Sequence, residues 1–301
     1  MDVSAIIVNY NGGPLLQRCL AALPQAAGAL SLETIVVDNA STDGSVDALP
    51  ARLAPTCLIQ AKRNLGFARA NNLGLHQARG RYCLLINTDC FLAPDSLRVL
   101  CRHLDDNPSL AVAGPRLLNA DGSLQRSCHD FPRPLVLLWE QGGLWQRRPR
   151  PPLARAPLLI ATDHDRPRKV DWVSGACWLA RTAALRAVGG FDPRFFFYWE
   201  EADLCYRLRA AGWTVGFEPA ATATHLGGAS SSPALLDTFF RSLYRFYGKH
   251  YGPGRLALAR TIVLAMVLIK ATRAGWRALR YPAERLQAEA EMRFWLRAGL
   301  V

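Results

Sequence analysis

The chain has 301 residues, half of them hydrophobic, with 20% charged residues and a net charge of +12. That apolar share supports a sizeable core and excludes a disordered chain, while the length is long for one domain and short for two. Eight cysteines (19, 57, 83, 90, 101, 128, 177, 205) show neither a C-x-x-C pair nor zinc-type spacing, which excludes a zinc module and reads as reduced, structural thiols in a cytosolic protein.

The opening residues Met1-Asp2-Val3-Ser4-Ala5-Ile6-Ile7-Val8 lack a basic n-region and enter a strand pattern at once, so no secretory signal is expected. The β-branched run from Val3 to Val8 is closed by Asn9-Tyr10-Asn11-Gly12-Gly13. Pro14 then opens a helical pattern through Leu15, Leu16, Cys19, Leu20 and Leu23. Thr34 to Val37 predicts a second buried strand, ending in Asp38-Asn39-Ala40-Ser41-Thr42-Asp43-Gly44-Ser45, and Cys57 to Gln60 a third. Asn64-Leu65-Gly66-Phe67 leads into a helix over 68–78, and Tyr82 to Ile86 predicts a fourth strand. Strands alternating with helices imply parallel βαβ units and a doubly wound sheet. The first strand is not followed by G-x-G-x-x-G, so a dinucleotide fold loses its signature.

The fourth strand stops at Asn87-Thr88-Asp89. A buried strand ending in Asn-x-Asp delivers oxygen ligands to the sheet edge where ligands collect, and such ligands suit hard divalent cations and phosphates. Asn and Asp also end strands as plain turn formers. Beyond Pro115 the alternation fades, and residues 141–169 form a Pro/Arg-rich stretch that reads as a mobile surface loop. Order returns over 171–179, helical periodicity follows through Ala183, Leu185 and Val188, and Phe191-Asp192-Pro193 ends that unit.

Further positions carry chemistry. Asp38 follows a buried strand, where its carboxylate can accept the ring N–H of uracil or thymine, or make an Asx-turn or a helix cap; Asn11 and Asn71 raise the same ambiguity. Glu200, Glu201 and Asp203 follow the aromatic run 195–199 at an expected helix start, where the dipole favours negative charge. Aromatic walls there would desolvate a carboxylate and raise its pKa, as a general base needs, and offer a platform for sugar stacking. The plain alternative is a capped helix with an Asp203–Arg207 pair. His225 lies after a small-residue strand, where it is either a satisfied polar side chain or a metal ligand.

Taken together, Val8-Asn9-Tyr10-Asn11-Gly12, 36–45, Asn64-Leu65-Gly66-Phe67-Ala68 with Asn71-Asn72, Asn87-Thr88-Asp89, Gly189-Gly190-Phe191-Asp192, 200–205 and His225-x-x-Gly228-x-Ser230 resemble an inverting glycosyltransferase of family 2, in its rhamnosyltransferase-like branch. The resemblance spans residues 3–230. It implies an α/β, GT-A fold: a Rossmann-like, mostly parallel central sheet with helices on both faces, plus a basic helical C-terminal extension. It divides the chain into a nucleotide-sugar-binding half (1–115), an acceptor-binding and catalytic half (116–230) and the extension (231–301). A nucleoside-diphosphate sugar, dTDP-rhamnose or a UDP- or GDP-sugar, would lie over the first four strands. Asn9, Asn11, Asp38, Asn64, Asn71 and Asn87 would line it, with Asp38 on the base. Asp89 and His225 would hold Mg²⁺ or Mn²⁺, and Glu201 would be the catalytic base. Trp199, Glu200 and Asp203 would face the acceptor or support the base. Two positions depart from the family pattern: Asn87 stands where an aspartate is usual and removes one charge, and Glu201 is one methylene longer than the usual aspartate.

The expected acceptor is a glycan or a polyprenyl-linked glycan in cell-surface polysaccharide synthesis. From Arg241 onward the chain carries twelve Lys and Arg against three Glu, flanking the apolar run Thr261 to Ile269. That run is shorter than the ~20 residues of a spanning helix. Basic residues beside interfacial aromatics predict a helix lying on an anionic membrane, a peripheral protein on the inner face of the cell membrane. Nucleic acid is not an expected partner, because no nucleic-acid motif is present and the apolar run is wrong for a solvated basic arm. The rival readings are a nucleotidyltransferase, disfavoured because Asn9 to Pro14 holds no Lys or Arg, and a catalytically inactive GT-A scaffold.

Overall fold

The computed structural model describes residues 1–134, 136–137, 164–227, 233–281, 283 and 285–298. Residues 141–163 of the expected loop, and Gly228 and Ser230 after His225, lie outside the described residues. The chain forms two compact units. One holds Met1–Phe131, the described part of 159–196, and Glu200–Gly227; the other holds the described part of 132–158, Phe197–Trp199 and the chain after 227.

The first unit is built on twelve strands: β1 (Val3–Asn9), β2 (Leu32–Asp38), β3 (Cys57–Gln60), β4 (Tyr82–Asn87), β5 (Cys90–Leu92), β6 (Leu110–Leu118), β7 (Leu124–Gln125), β8 (Cys128–His129), β9 (Arg168–Val170), β10 (Trp172–Val173), β11 (Cys177–Arg181) and β12 (Thr214–His225). The main sheet runs β3-β2-β1-β4-β11-β6-β12-β5, with β7 on β6 and β9 on β12; β8 and β10 pair separately. β1 to β4 are mutually parallel, and the four strands expected from sequence are all present. β11 runs antiparallel to β4 and β6, whereas β12 is again parallel to β6. Among the described residues, five α-helices accompany these strands: α1 (Pro14–Ala27), α2 (Phe67–Gln77), α3 (Ser96–Asp106), α4 (Thr182–Ala187) and α5 (Glu200–Ala210).

The period-two alternation of β1 sends Val3, Ala5 and Ile7 to one face, into the core made with Leu16, Leu20 and Leu23 of α1 and Leu97, Leu100 and Leu104 of α3. Ile6 points to the other face, against Gly74 of α2, where a Cβ would stand 2.4 Å from its side chain. Only glycine lets α2 come that close. With helices on both faces, β1 reads as a continuous apolar run rather than an alternating one. The chain passes from β1 outward to β2 and β3, then returns to place β4 on the other side of β1. That reversal opens a crevice at the strands' carboxyl ends.

The second unit holds α6 (Pro233–His250), α7 (Gly252–Arg280) and α8 (Arg285–Ala298), with α7 packed against both others. Ala259, Val263, Met266, Val267, Ala271, Ala274 and Ala278 form the packed stripe of α7. At Gly275 a Cβ would stand 3.1 Å from Met292 Sδ of α8. The opposite face leaves Leu258, Leu264, Leu268, Ile269, Trp276 and Leu279 exposed.

Candidate active site

Strand register assembles the donor edge. Asn9 pairs with Asp38 across β1 and β2, and Val8 with Asn87 across β1 and β4, so three polar strand ends reach the crevice together. Asn9 is fully buried; its Nδ2 donates to Asp38 Oδ1 at 2.9 Å, Ser41 Oγ at 3.0 Å and Ser45 Oγ at 2.8 Å. Asp38 also accepts the Ser41 backbone N–H at 3.3 Å, an Asx-type contact. The turn-forming reading of Asp38 is thus present, and since a carboxylate has about four lone-pair sites and these contacts take two, acceptor capacity is left over. Asn11, at φ 53°, accepts from Thr42 N at 2.8 Å through its Oδ1, and its own backbone N–H donates to Ser41 Oγ at 2.9 Å. It ties the loop after β1 to the loop after β2. Asn64 Oδ1 accepts from Asn39 Nδ2 and Gly66 N, both at 2.9 Å, and the buried Asn71 donates back to Phe67 O at 3.0 Å within α2. These amides shape the backbone of the edge.

Asp89 lies in the step between β4 and β5, and β5 pairs with β12 so that His225 stands across from Cys90. His225 Nε2 is 3.4 Å from Asp89 Oδ1, and Leu226 N donates to Asp89 O at 3.0 Å. Burial on its own pushes the Asp89 carboxyl up, but the hydrogen bond and charge of His225 outweigh it and hold the group below its usual value. Among the described residues no three His, Cys, Asp or Glu side chains converge as a metal group. The pair still fits a hard cation completed by ligand oxygens and water. Two donors about 2.1 Å from one octahedral ion, at right angles, stand about 3.0 Å apart, near the separation found here.

Glu201 sits in the first turn of α5, where its Oε1 accepts the Gly175 N–H at 3.2 Å. The neighbouring Ala176 carbonyl accepts the Asn87 N–H at 2.9 Å. The two-residue step Gly175-Ala176 thus fastens the candidate base and the Asn87-x-Asp89 turn to one piece of backbone. Glu201 Oε2 and Glu200 Oε2 are buried without a hydrogen-bond partner among the described residues. Burial lifts the Glu201 pKa; burial and then the Glu201 charge lift Glu200 well above its usual value.

Asp203 is fully buried and takes the Arg207 guanidinium at 2.8 Å, so the plain helical pair predicted for it exists. Trp199 belongs to the helical unit, where it is buried against Phe239 and Phe246 at ring separations of 5.3 and 6.2 Å. Tyr198 and Trp199 both take left-handed backbone (φ 67° and 66°), a conformation bulky residues adopt only when their surroundings impose it.

Sequence reasoning passed over Ser41, Asn72, Gln125 and Gly175. Ser41 lies inside a quoted motif, so its signal was present. Asn72 grips the Phe191 backbone from both sides, N–H and carbonyl each at 2.8 Å. Gln125 carried no signal, because it is a hundred residues from the histidine it meets.

A parallel Rossmann-like half that continues into a mixed half, with a carboxylate–imidazole pair at the strand ends, is the architecture of GT-A glycosyltransferases. The chain belongs to glycosyl transferase family 2, whose model matches residues 4–189. It is 31% identical to the N-acetylglucosaminyl-diphospho-decaprenol L-rhamnosyltransferase of Mycobacterium tuberculosis over 284 residues, 87% of this chain and 89% of that one. A low-salt glycan biosynthesis hexosyltransferase of Haloferax volcanii is 25% identical over 82% of this chain and 72% of its own length. Among solved structures, the mannosyltransferase of Pyrobaculum calidifontis in complex with GDP-Man and Mn²⁺ superposes with a TM-score of 0.57 at 17% identity, covering 99% of this chain and 86% of that one. GalNAc-T7 with UDP, GalNAc and Mn²⁺ gives 0.56 at 17% identity over 82% of this chain, which spans half of that structure's length. These likenesses identify the fold; the family match and the mycobacterial relative make this chain a glycosyltransferase.

Proposed function

We propose that the chain transfers rhamnose, with inversion, from a nucleoside-diphosphate sugar to a hydroxyl of a polyprenyl-diphosphate-linked sugar. The observation that carries this reading is the Gly175-Ala176 step, which holds Glu201 and the Asn87-x-Asp89 turn together. In-line displacement at an anomeric carbon needs a base for the incoming hydroxyl and charge neutralisation for the departing diphosphate, and no covalent nucleophile. Asp38, set by Asn9, accepts the N–H of the donor's pyrimidine base. Glu201 Oε2, the oxygen left open by the Gly175 contact, takes the acceptor proton. Mg²⁺ or Mn²⁺ held by Asp89 and His225 would supply Lewis-acid stabilisation of the diphosphate. The choice of rhamnose and of a lipid-linked acceptor follows the name of the mycobacterial relative. GDP-sugar remains the competing donor, supported by the mannosyltransferase superposition.

The same proposal places the protein on an anionic membrane surface. The exposed apolar face of α7 is bordered by exposed Arg255, Arg273 and Arg280, and Arg260 is exposed on the other side. α7 is long and apolar enough to span a bilayer by length and composition. Its packed stripe against α6 and α8, with arginines along the rim, instead suits a helix lying in the interface.

Thermal shift with Mn²⁺ and a panel of dTDP-rhamnose, UDP-sugars and GDP-mannose tests the donor. A donor at a hundredfold its Kd adds about 2.7 kcal/mol, several degrees for a protein of this size. dTDP-rhamnose should give the largest rise; a flat response to every nucleotide sugar would reject the reading.

A further inference from the structure

We infer that Gln125 is a positioning residue for the cation site, fixing which ring nitrogen of His225 faces Asp89. The inference rests on the reading of Asp89 and His225 as cation ligands. Gln125 ends the two-residue strand β7, which pairs with β6 so that Leu117 faces Gln125. Its Oε1 lies 2.7 Å from His225 Nδ1. Its Nε2 donates to Asn119 Oδ1 at 2.9 Å and to the His225 carbonyl at 3.3 Å. A backbone carbonyl can only accept, so the nitrogen of the amide must face it and the oxygen must face the imidazole. The ring therefore carries a proton on Nδ1. Nε2, on the Asp89 side, is thereby the nitrogen left to offer its lone pair to a cation, which takes the place of the proton that it shares with Asp89 in the cation-free protein.

Asn119 holds the amide in turn, with its Nδ2 donating to Ser123 Oγ at 2.9 Å. The hairpin between β6 and β7 thus reaches the strand-end site through a run of hydrogen bonds that no sequence motif marks.

The test is Mn²⁺ binding to the full chain in the presence of dTDP, read as free Mn²⁺ by electron paramagnetic resonance. Gln125→Met, close in shape but without hydrogen bonds, should weaken Mn²⁺ binding roughly 10- to 100-fold, the scale for partners of metal-bound histidines. Gln125→Glu, which keeps an acceptor on Nδ1–H, should restore most of it. Once His225 is Ala, adding Gln125→Met should cost nothing more. A further loss of similar size in that double variant, or wild-type affinity in Gln125→Met, would overturn the inference. Should His225→Ala itself leave Mn²⁺ binding intact, the cation reading of His225 fails as well, a distinguishable result. ¹⁵N shifts of the His225 ring, followed to a pH at which it is neutral, supply a metal-free readout: wild type should keep its proton on Nδ1, and Gln125→Met should give a tautomer mixture. An unchanged tautomer in the variant would also overturn it.

Discussion

Glu201 shows how one side chain acquires a role from its surroundings. On sequence it is one of three carboxylates at a helix start; in the structure Glu200 and Asp203 are buried, whereas Glu201 is half-buried and accepts the Gly175 N–H. Asp203, two residues on, is neutralised by Arg207, whereas Glu200 is enclosed and its pKa is driven well up by burial and by Glu201. Glu201→Gln keeps size and the Gly175 contact but cannot take a proton, so it should retain donor binding and lose roughly 10²-fold or more of turnover. Near-normal kcat would remove Glu201 from the role. Because burial raises the Glu201 pKa and the base works deprotonated, kcat/KM should climb with pH along a limb above the usual carboxylate value of about 4.3. A limb at that ordinary value would show the group to be solvated in the working enzyme. Asp38 teaches the complementary lesson. Its turn-forming contact with Ser41 and its proposed contact with a base are compatible, so choosing between them from sequence was the wrong question.

The connection between α4 and α5 explains the Gly189-Gly190-Phe191-Asp192 motif in physical terms. Gly189 and Gly190 take φ of 77° and 68°, and a Cβ on Gly190 would stand 2.6 Å from Asn72 Oδ1. Arg207 of α5 then gathers the turn, donating to Val188 O at 2.6 Å, Gly190 O at 2.7 Å and Asp203 Oδ2 at 2.8 Å. Arg207→Met should take the guanidinium away from a fully buried carboxylate and two carbonyls, and cost about 3–5 kcal/mol in urea unfolding. A loss below about 1 kcal/mol would mean that Arg207 is not the main support of the Asp203 carboxylate. The motif was legible as a string, yet its reason was not, because Asn72 and Arg207 approach it from helices more than a hundred residues apart. Strands β1 to β4 were legible for the opposite reason: each is a local apolar run whose ends are marked by Gly, Asn or Asp. Among the described strands, β5, β7, β8, β9 and β10 have two or three residues, too few for any periodicity to register.

In the helical unit, surface chemistry decides the partner. All eight cysteines are free and seven are buried, consistent with the structural thiols expected. The α7 face that α6 and α8 leave open carries Leu279 at 86% and Trp276 at 58% exposure beside an arginine rim. Vesicles containing phosphatidylglycerol should retain the protein at moderate salt and neutral vesicles should not. Arg273→Gln with Arg280→Gln should weaken retention by about 2 kcal/mol, at about 1 kcal/mol for each basic residue near the surface. Equal retention on both vesicle types, or none, would discard the lipid reading. By itself the sequence determined the family, the parallel first half of the sheet and the polar residues that end its strands, because these rest on short contiguous patterns of hydrophobicity and turn chemistry. Tertiary structure alone decided which nitrogen of His225 faces Asp89, what fastens Glu201 to the Asn87-x-Asp89 turn, and which face of α7 stays open. Each of those depends on hydrogen bonds or packing between segments distant along the chain, and no local pattern encodes which distant partner a side chain will meet.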